Sequence, residues 1–71
     1  MNQESKVLFL SKALSKGYLT TEEIAKKVLG ISRTALVYKL SGKTNWSVED
    51  VKKCRDAFDL SIKDIDKIFL A

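Results

Sequence analysis

Residues 20–42 read TTEEIAKKVLGISRTALVYKLSG, and that order specifies two helices joined by a short turn. Thr20 stands where a helix cap is needed, with Glu23 three residues on at capping-box spacing. Leu19 before the cap and Ile24 after it have the spacing of a hydrophobic staple. Gly30 is free to take the positive φ of a tight turn, and Ser32 supplies the cap for a second helix that begins at Arg33. Gly42 ends that helix. Two helices separated by about three residues that include a glycine have the geometry of a helix-turn-helix.

The same grammar extends outward from this stretch. At Ser47 the box partner is Asp50 and the staple is Trp46 with Val51; at Ser61 the partner is Asp64 and the staple is Leu60 with Ile65. Toward the N-terminus, Val7, Leu10, Ala13 and Leu14 recur at helical spacing, and Lys16-Gly17 forms a stop. The predicted helices cover 5–16, 20–29, 33–41, 48–58 and 62–70. The expected fold is therefore all-α, five short helices in a single domain over residues 1–71. Ile31, Leu36 and Leu40 form the expected inner stripe of the third helix. Val48, Val51, Phe58, Ile62 and Ile65 form that of the last two, with Phe9 joining them and Cys54 as a small buried hydrophobe.

A chain of 71 residues admits one modest core. With 45% hydrophobic and 31% charged residues it has the composition of a globular chain and not of a disordered one. One cysteine and no histidine leave no disulfide, no zinc site of the usual kind and no base to activate a nucleophile. No metal, no cofactor and no enzymatic activity are expected. The aspartates at 50, 56, 59, 64 and 66 read as caps and as solvent-face partners of Lys52, Lys53, Arg55, Lys63 and Lys67. No apolar run is long enough to span a bilayer, and the start MNQESKVLFLSK has neither a basic leader nor a long apolar stretch. The expected location is the cytoplasm.

The net charge of +4 is unevenly spread. Residues 31–45 carry Arg33, Lys39 and Lys43 with no acid, whereas residues 46–71 are net negative by one. The positive field is strongest around the turn and the third helix, the expected place for a phosphate-facing surface. With Leu36 and Leu40 inward, Arg33, Thr34, Val37, Tyr38 and Ser41 lie on the outer side of that helix. A second helix of this kind lies in the DNA major groove with its first turn deepest. Arg33 is accordingly the first candidate for a base contact, to guanine O6 and N7, and Thr34 the second, with its methyl or that of Val37 against a thymine methyl. Tyr38, Lys39, Ser41 and Lys43 are candidates for backbone phosphates, which set register without reading sequence.

The stretch GISRTALVYKLSGK, followed by WSVEDVKKCRDAFDLSIKDIDKIF, resembles the lambda-repressor and Cro-type helix-turn-helix domains of temperate phages, the XRE-type family, over roughly residues 19–70. The resemblance implies a five-helix lambda-repressor-like fold and binding of double-stranded operator DNA, usually as a homodimer. It also implies a role in transcriptional control such as the lysis-lysogeny switch, in the cytoplasm of a bacterial host at the nucleoid. By position, Arg33 and Thr34 match the family's base-reading pair, and Ser41 and Lys43 match its phosphate-binding residues.

The chain departs from that pattern in three places. Family members often carry an alanine four residues before the turn glycine, whereas Ala25 precedes Gly30 by five. Glu22 and Glu23 stand where neutral donors usually face phosphate, and carboxylates repel a phosphate backbone. Arg33 is the single long donor on an outer face otherwise formed by residues such as Val37 and Tyr38. These features keep a second function open, that of an antirepressor or modulator of repression. It would bind a phage repressor protein through Glu22, Glu23, Val37 and Tyr38 and mask that protein's basic DNA-reading surface. The run Ile68, Phe69, Leu70 holds more apolar surface than one helix face buries and is a further candidate partner or dimer interface.

Overall fold

Asn2, and not a residue near Ser5, starts the first helix: its Oδ1 accepts the Ser5 backbone N–H at 2.7 Å. In this computed structural model, which describes residues 1–70, helix α1 spans Gln3–Ser15 and closes with Tyr18 N–H on the Ala13 carbonyl at 3.1 Å. Of the expected stripe Val7, Leu10, Ala13 and Leu14, only Ala13 is buried and the other three are exposed; the buried face of α1 is Ser5, Phe9 and Ala13. Both sets have helical spacing. What selects the second is the aromatic cluster that Phe9 enters, since an aromatic ring removes more apolar area from water than an aliphatic side chain.

Helix α2 begins at Thr21–Glu23 and continues without a break as a π-helical turn over Ile24–Leu29. Thr20 caps it, its Oγ1 accepting the Glu23 N–H at 3.1 Å. The reciprocal half of the expected capping box is missing, because the Glu23 carboxylate engages the Thr20 hydroxyl at 3.5 Å and Lys27 Nζ at 3.4 Å instead. Leu19 is 70% exposed, so the expected staple with Ile24 does not form. Both Gly30 and Ile31 donate to the Ala25 carbonyl, the wide spacing that defines the turn. Ile24, Ala25 and Leu29 remain together on the buried side.

Gly30, at φ +66°, makes the turn, and Ser32 caps α3 (Arg33–Ser41) by accepting the Ala35 N–H at 3.1 Å. Leu36 and Leu40 hold α3 to the core, and Ile31 is half-buried beside them. Gly42, at φ +86°, lets Lys43 N–H return to the Tyr38 carbonyl at 2.9 Å. Helix α4 (Val48–Phe58) and helix α5 (Ile62–Ile65, continuing as a π turn over Asp66–Leu70) both start on complete capping boxes, Ser47 with Asp50 and Ser61 with Asp64. The residue that ends α4 is Asp59, held in the left-handed region at φ 54°. Aspartate tolerates that conformation better than most non-glycine residues.

The five helices enclose one core centred on Phe9. Its ring centroid lies 5.4 Å from those of both Trp46 and Phe58 and 6.4 Å from that of Phe69. Phe58, Cys54, Leu60 and Ile68 are buried around it, as expected for the first two. Val48 and Ile62, expected in the core, are 73% and 87% exposed. Each occupies the first position of its helix, where the side chain projects past the end of the packed layer. Among the described residues there is no strand, and no helix is long and apolar enough to cross a membrane.

One polar contact inside this core was not legible in the sequence. Ser5, 2% exposed, donates its hydroxyl to the Lys67 carbonyl at 2.9 Å, tying α1 to the π turn that ends the chain's last helix. Ser5→Ala is expected to lower stability by about 1 kcal/mol, the net worth of a typical hydrogen bond to a part-buried carbonyl. Urea unfolding followed by far-ultraviolet circular dichroism measures it; a loss below a few tenths of a kcal/mol would mean that solvent satisfies that carbonyl.

Candidate functional site

Helix α3 has an exposed outer face. Arg33 is its first residue and Thr34 its second, and both are exposed, while Ser32 before them caps the helix. Val37 and Tyr38, one turn on, are 39% and 43% exposed. Ser41 is exposed at the end, though its hydroxyl donates to the Tyr38 carbonyl of its own helix at 3.1 Å. Lys43 folds back so that its Nζ lies 5.0 Å from the Tyr38 ring centroid, a cation–π contact that holds the charge beside the helix end. Arg33, Thr34, Val37, Tyr38, Ser41 and Lys43 thus share one surface.

Lys39 does not join them. Its Nζ lies 2.8 Å from Asp50 Oδ2, donates to the Asn45 carbonyl at 3.1 Å and sits 5.8 Å from the Trp46 ring centroid. The Lys39 and Asp50 side chains are only 16% and 14% exposed. The expected phosphate ligand is instead an internal strut between α3 and the start of α4. Helical periodicity explains the difference: Lys39 follows Leu36 by three residues and precedes Leu40, so it borders the buried stripe. Asp50 in turn is not the partner of a lysine on its own helix, and Asp64 bridges to Lys12 at 3.4 Å on α1.

The Asp50 carboxyl titrates below its ordinary value of 3.8. Burial alone would push it up, but the Lys39 ammonium and the backbone N–H and hydroxyl of Ser47 outweigh that effect. The Ser61 backbone N–H, followed by its hydroxyl and by Lys12, likewise holds Asp64 low against a smaller desolvation effect. Nearby Cys54 shows the opposite balance, its thiol pushed up to about 12 by burial and then by the Asp50 charge. Because both aspartates are stronger acids when folded, their stabilisation is complete above the ordinary aspartate value and is lost as pH falls through the folded values. The fold is expected to keep this contribution at neutral pH and to weaken in acid, as pH falls below the ordinary aspartate value of 3.8. Thermal midpoints measured from neutral pH down to roughly pH 2 check this, and Asp50→Asn should flatten the acid limb; an unchanged limb in that variant would remove Asp50 from the account.

At the start of α2, Glu22 and Glu23 are each paired one turn on, with Lys26 at 3.1 Å and Lys27 at 3.4 Å. The two acids that argued against a phosphate neighbour are therefore largely compensated within their own helix. In the C-terminal run, Ile68 is 2% exposed and cannot belong to an interface. Phe69 is half-buried with its ring 5.0 Å from that of Trp46, and Leu70 alone of the three is fully exposed. With Val48, Val51 and Ile65 they border an apolar cleft of about 310 Å³. No protein-family model, no curated protein and no solved structure matches the chain.

Proposed function

We propose that the chain is a sequence-specific DNA-binding regulator in which α2, the turn at Gly30 and α3 act as a helix-turn-helix, with α3 as the helix presented to the major groove. The observation that carries this reading is the outer face of α3, exposed from Arg33 to Ser41 while Leu36 and Leu40 anchor the opposite side. A helix presented in this way fits a major groove about 12 Å wide. Arg33 and Thr34 stand at its first turn, where base edges are reached, and Lys43 stands at its end, where phosphate lies. The resemblance to lambda-repressor and Cro-type domains adds a phage lysis-lysogeny regulator as the biological class, and a homodimer on operator DNA as the active form.

Selection from a random duplex library, followed by mobility shift at low and moderate salt, tests the proposal. A selected site bound roughly a thousandfold tighter than random duplex, with a steep salt slope, is the expected result. Uniform weak retention of all sequences would overturn it. For the dimer, Leu70→Glu should lower a concentration-dependent molecular mass without unfolding the chain, since Leu70 is exposed. If the chain remains monomeric at all concentrations in both forms, the dimer is discarded.

One observation favours a second reading, the antirepressor or modulator of repression. Lys39 is withdrawn from the surface, so Arg33 and Lys43 are the cations left on the outer side of α3, next to apolar Val37 and Tyr38. Such a face suits a protein partner, here a phage repressor, as well as DNA. Release of a repressor from its operator by this chain, with no retention of the operator by the chain alone, would establish that reading over the first.

A further inference from the structure

Five of the nine large apolar side chains that stand exposed lie on one side of the molecule: Val7, Leu10, Leu14, Leu19 and Val37. The three on α1 are spaced i, i+3, i+7, the spacing of a seam that packs against another helix. Leu10 lines two adjoining grooves. One, of about 530 Å³, extends past Leu14 and Leu19 to Arg33; the other, of about 330 Å³, extends past Val7 to Val37. Joined at Leu10, they form a trough between α1 and the α2–α3 pair. From Gln3 to Leu14 it is roughly 16 Å long at 1.5 Å per residue, the length of a helix of about three turns.

Charge selects the occupant. Lys6 lines one end of the trough and Arg33 the other, and neither is in an ion pair among the described residues. The single acid that lines it, Glu22, is held by Lys26 at 3.1 Å. A second copy offering its own α1 stripe would bring another Lys6 and no acid, because Glu4 lines a different cleft with Leu8 and Lys67. We propose that this trough is a docking site for an amphipathic helix of another protein, with an apolar stripe for Leu10 and its neighbours and acidic residues flanking it for Lys6 and Arg33. The site stands on the trough alone and does not depend on the DNA reading, but its occupant would cover Arg33 and Val37 and so exclude DNA from them.

Two synthetic helical peptides with the same leucine stripe, one flanked by glutamates and one by lysines, test this against the isotope-labelled full chain. The glutamate peptide is expected to shift the amide resonances of Val7, Leu10, Leu14 and Val37 and to bind about tenfold or more tighter than the lysine peptide. Leu10→Glu, at an exposed position, should abolish the shifts with the circular dichroism spectrum unchanged, and the double reversal Lys6→Glu with Arg33→Glu should invert the peptide preference. Equal affinity for both peptides, or shifts confined to Val48 and Leu70, would overturn the proposal. Shifts of the same residues on raising the protein concentration without peptide would assign the trough to a second copy instead. Since no DNA enters these measurements, failure of operator binding leaves their outcome intact.

Discussion

Phe9→Ala is expected to leave the chain unfolded or barely folded at 25 °C. A fully buried phenylalanine costs about 3–5 kcal/mol when cut to alanine, and a chain of this length has about 4–10 kcal/mol of total stability at the usual per-residue range. Phe9 is at the upper end of that cost because it touches three rings from three different segments, those of Trp46, Phe58 and Phe69. No small movement of α1 closes the resulting void against all three. Urea titration followed by the fluorescence of Trp46, the single tryptophan and itself 5.4 Å from Phe9, reads the loss directly. Val7→Ala, two residues earlier on the exposed side, should change stability by less than about 0.5 kcal/mol. Similar losses at the two positions would mean that α1 packs by its other face.

Under the proposed function, Arg33→Ala should lower affinity for the selected DNA site by about 1–3 kcal/mol, roughly ten- to a hundredfold, and relax the preference at one base pair. The fold should be untouched, since the Arg33 side chain is exposed and the cap below it belongs to Ser32. Lys43→Ala should weaken all sequences alike and reduce the salt slope by about one. Competition binding against a panel of single-base variants, repeated at two salt concentrations, separates the two signatures. If Arg33→Ala and Lys43→Ala weaken specific and random duplex to the same degree, Arg33 contacts phosphate and not a base.

The parts of the fold that were legible in the sequence are those decided within four residues. Ser32, Ser47 and Ser61 accept the N–H three positions on, as their spacing implied. Gly30 and Gly42 take the left-handed conformations that end α2 and α3. What was not legible depends on partners far along the chain. Choosing between two helically spaced faces of α1 requires knowing that Phe58 and Phe69 arrive beside Phe9, and assigning Lys39 requires knowing that Asp50 arrives beside it. Of the candidate site, the exposed set from Arg33 to Lys43 was legible because Leu36 and Leu40 define the inward side of a single helix. The trough beside it was not, because Val7, Leu10 and Leu14, which line it on the α1 side, are residues that periodicity assigned to the core.

The π turn in α2 has a bearing on how the chain tolerates change in length. A wide turn stores one residue more than an α-helical path between the same two ends. In α2 that wide turn lies inside the helix, over Ile24–Leu29, and the Ser32 cap of α3 follows it two residues after Gly30. A residue removed between Ile24 and Leu29 could therefore be absorbed by return to α-helical spacing, upstream of Gly30 and of the cap on which α3 starts.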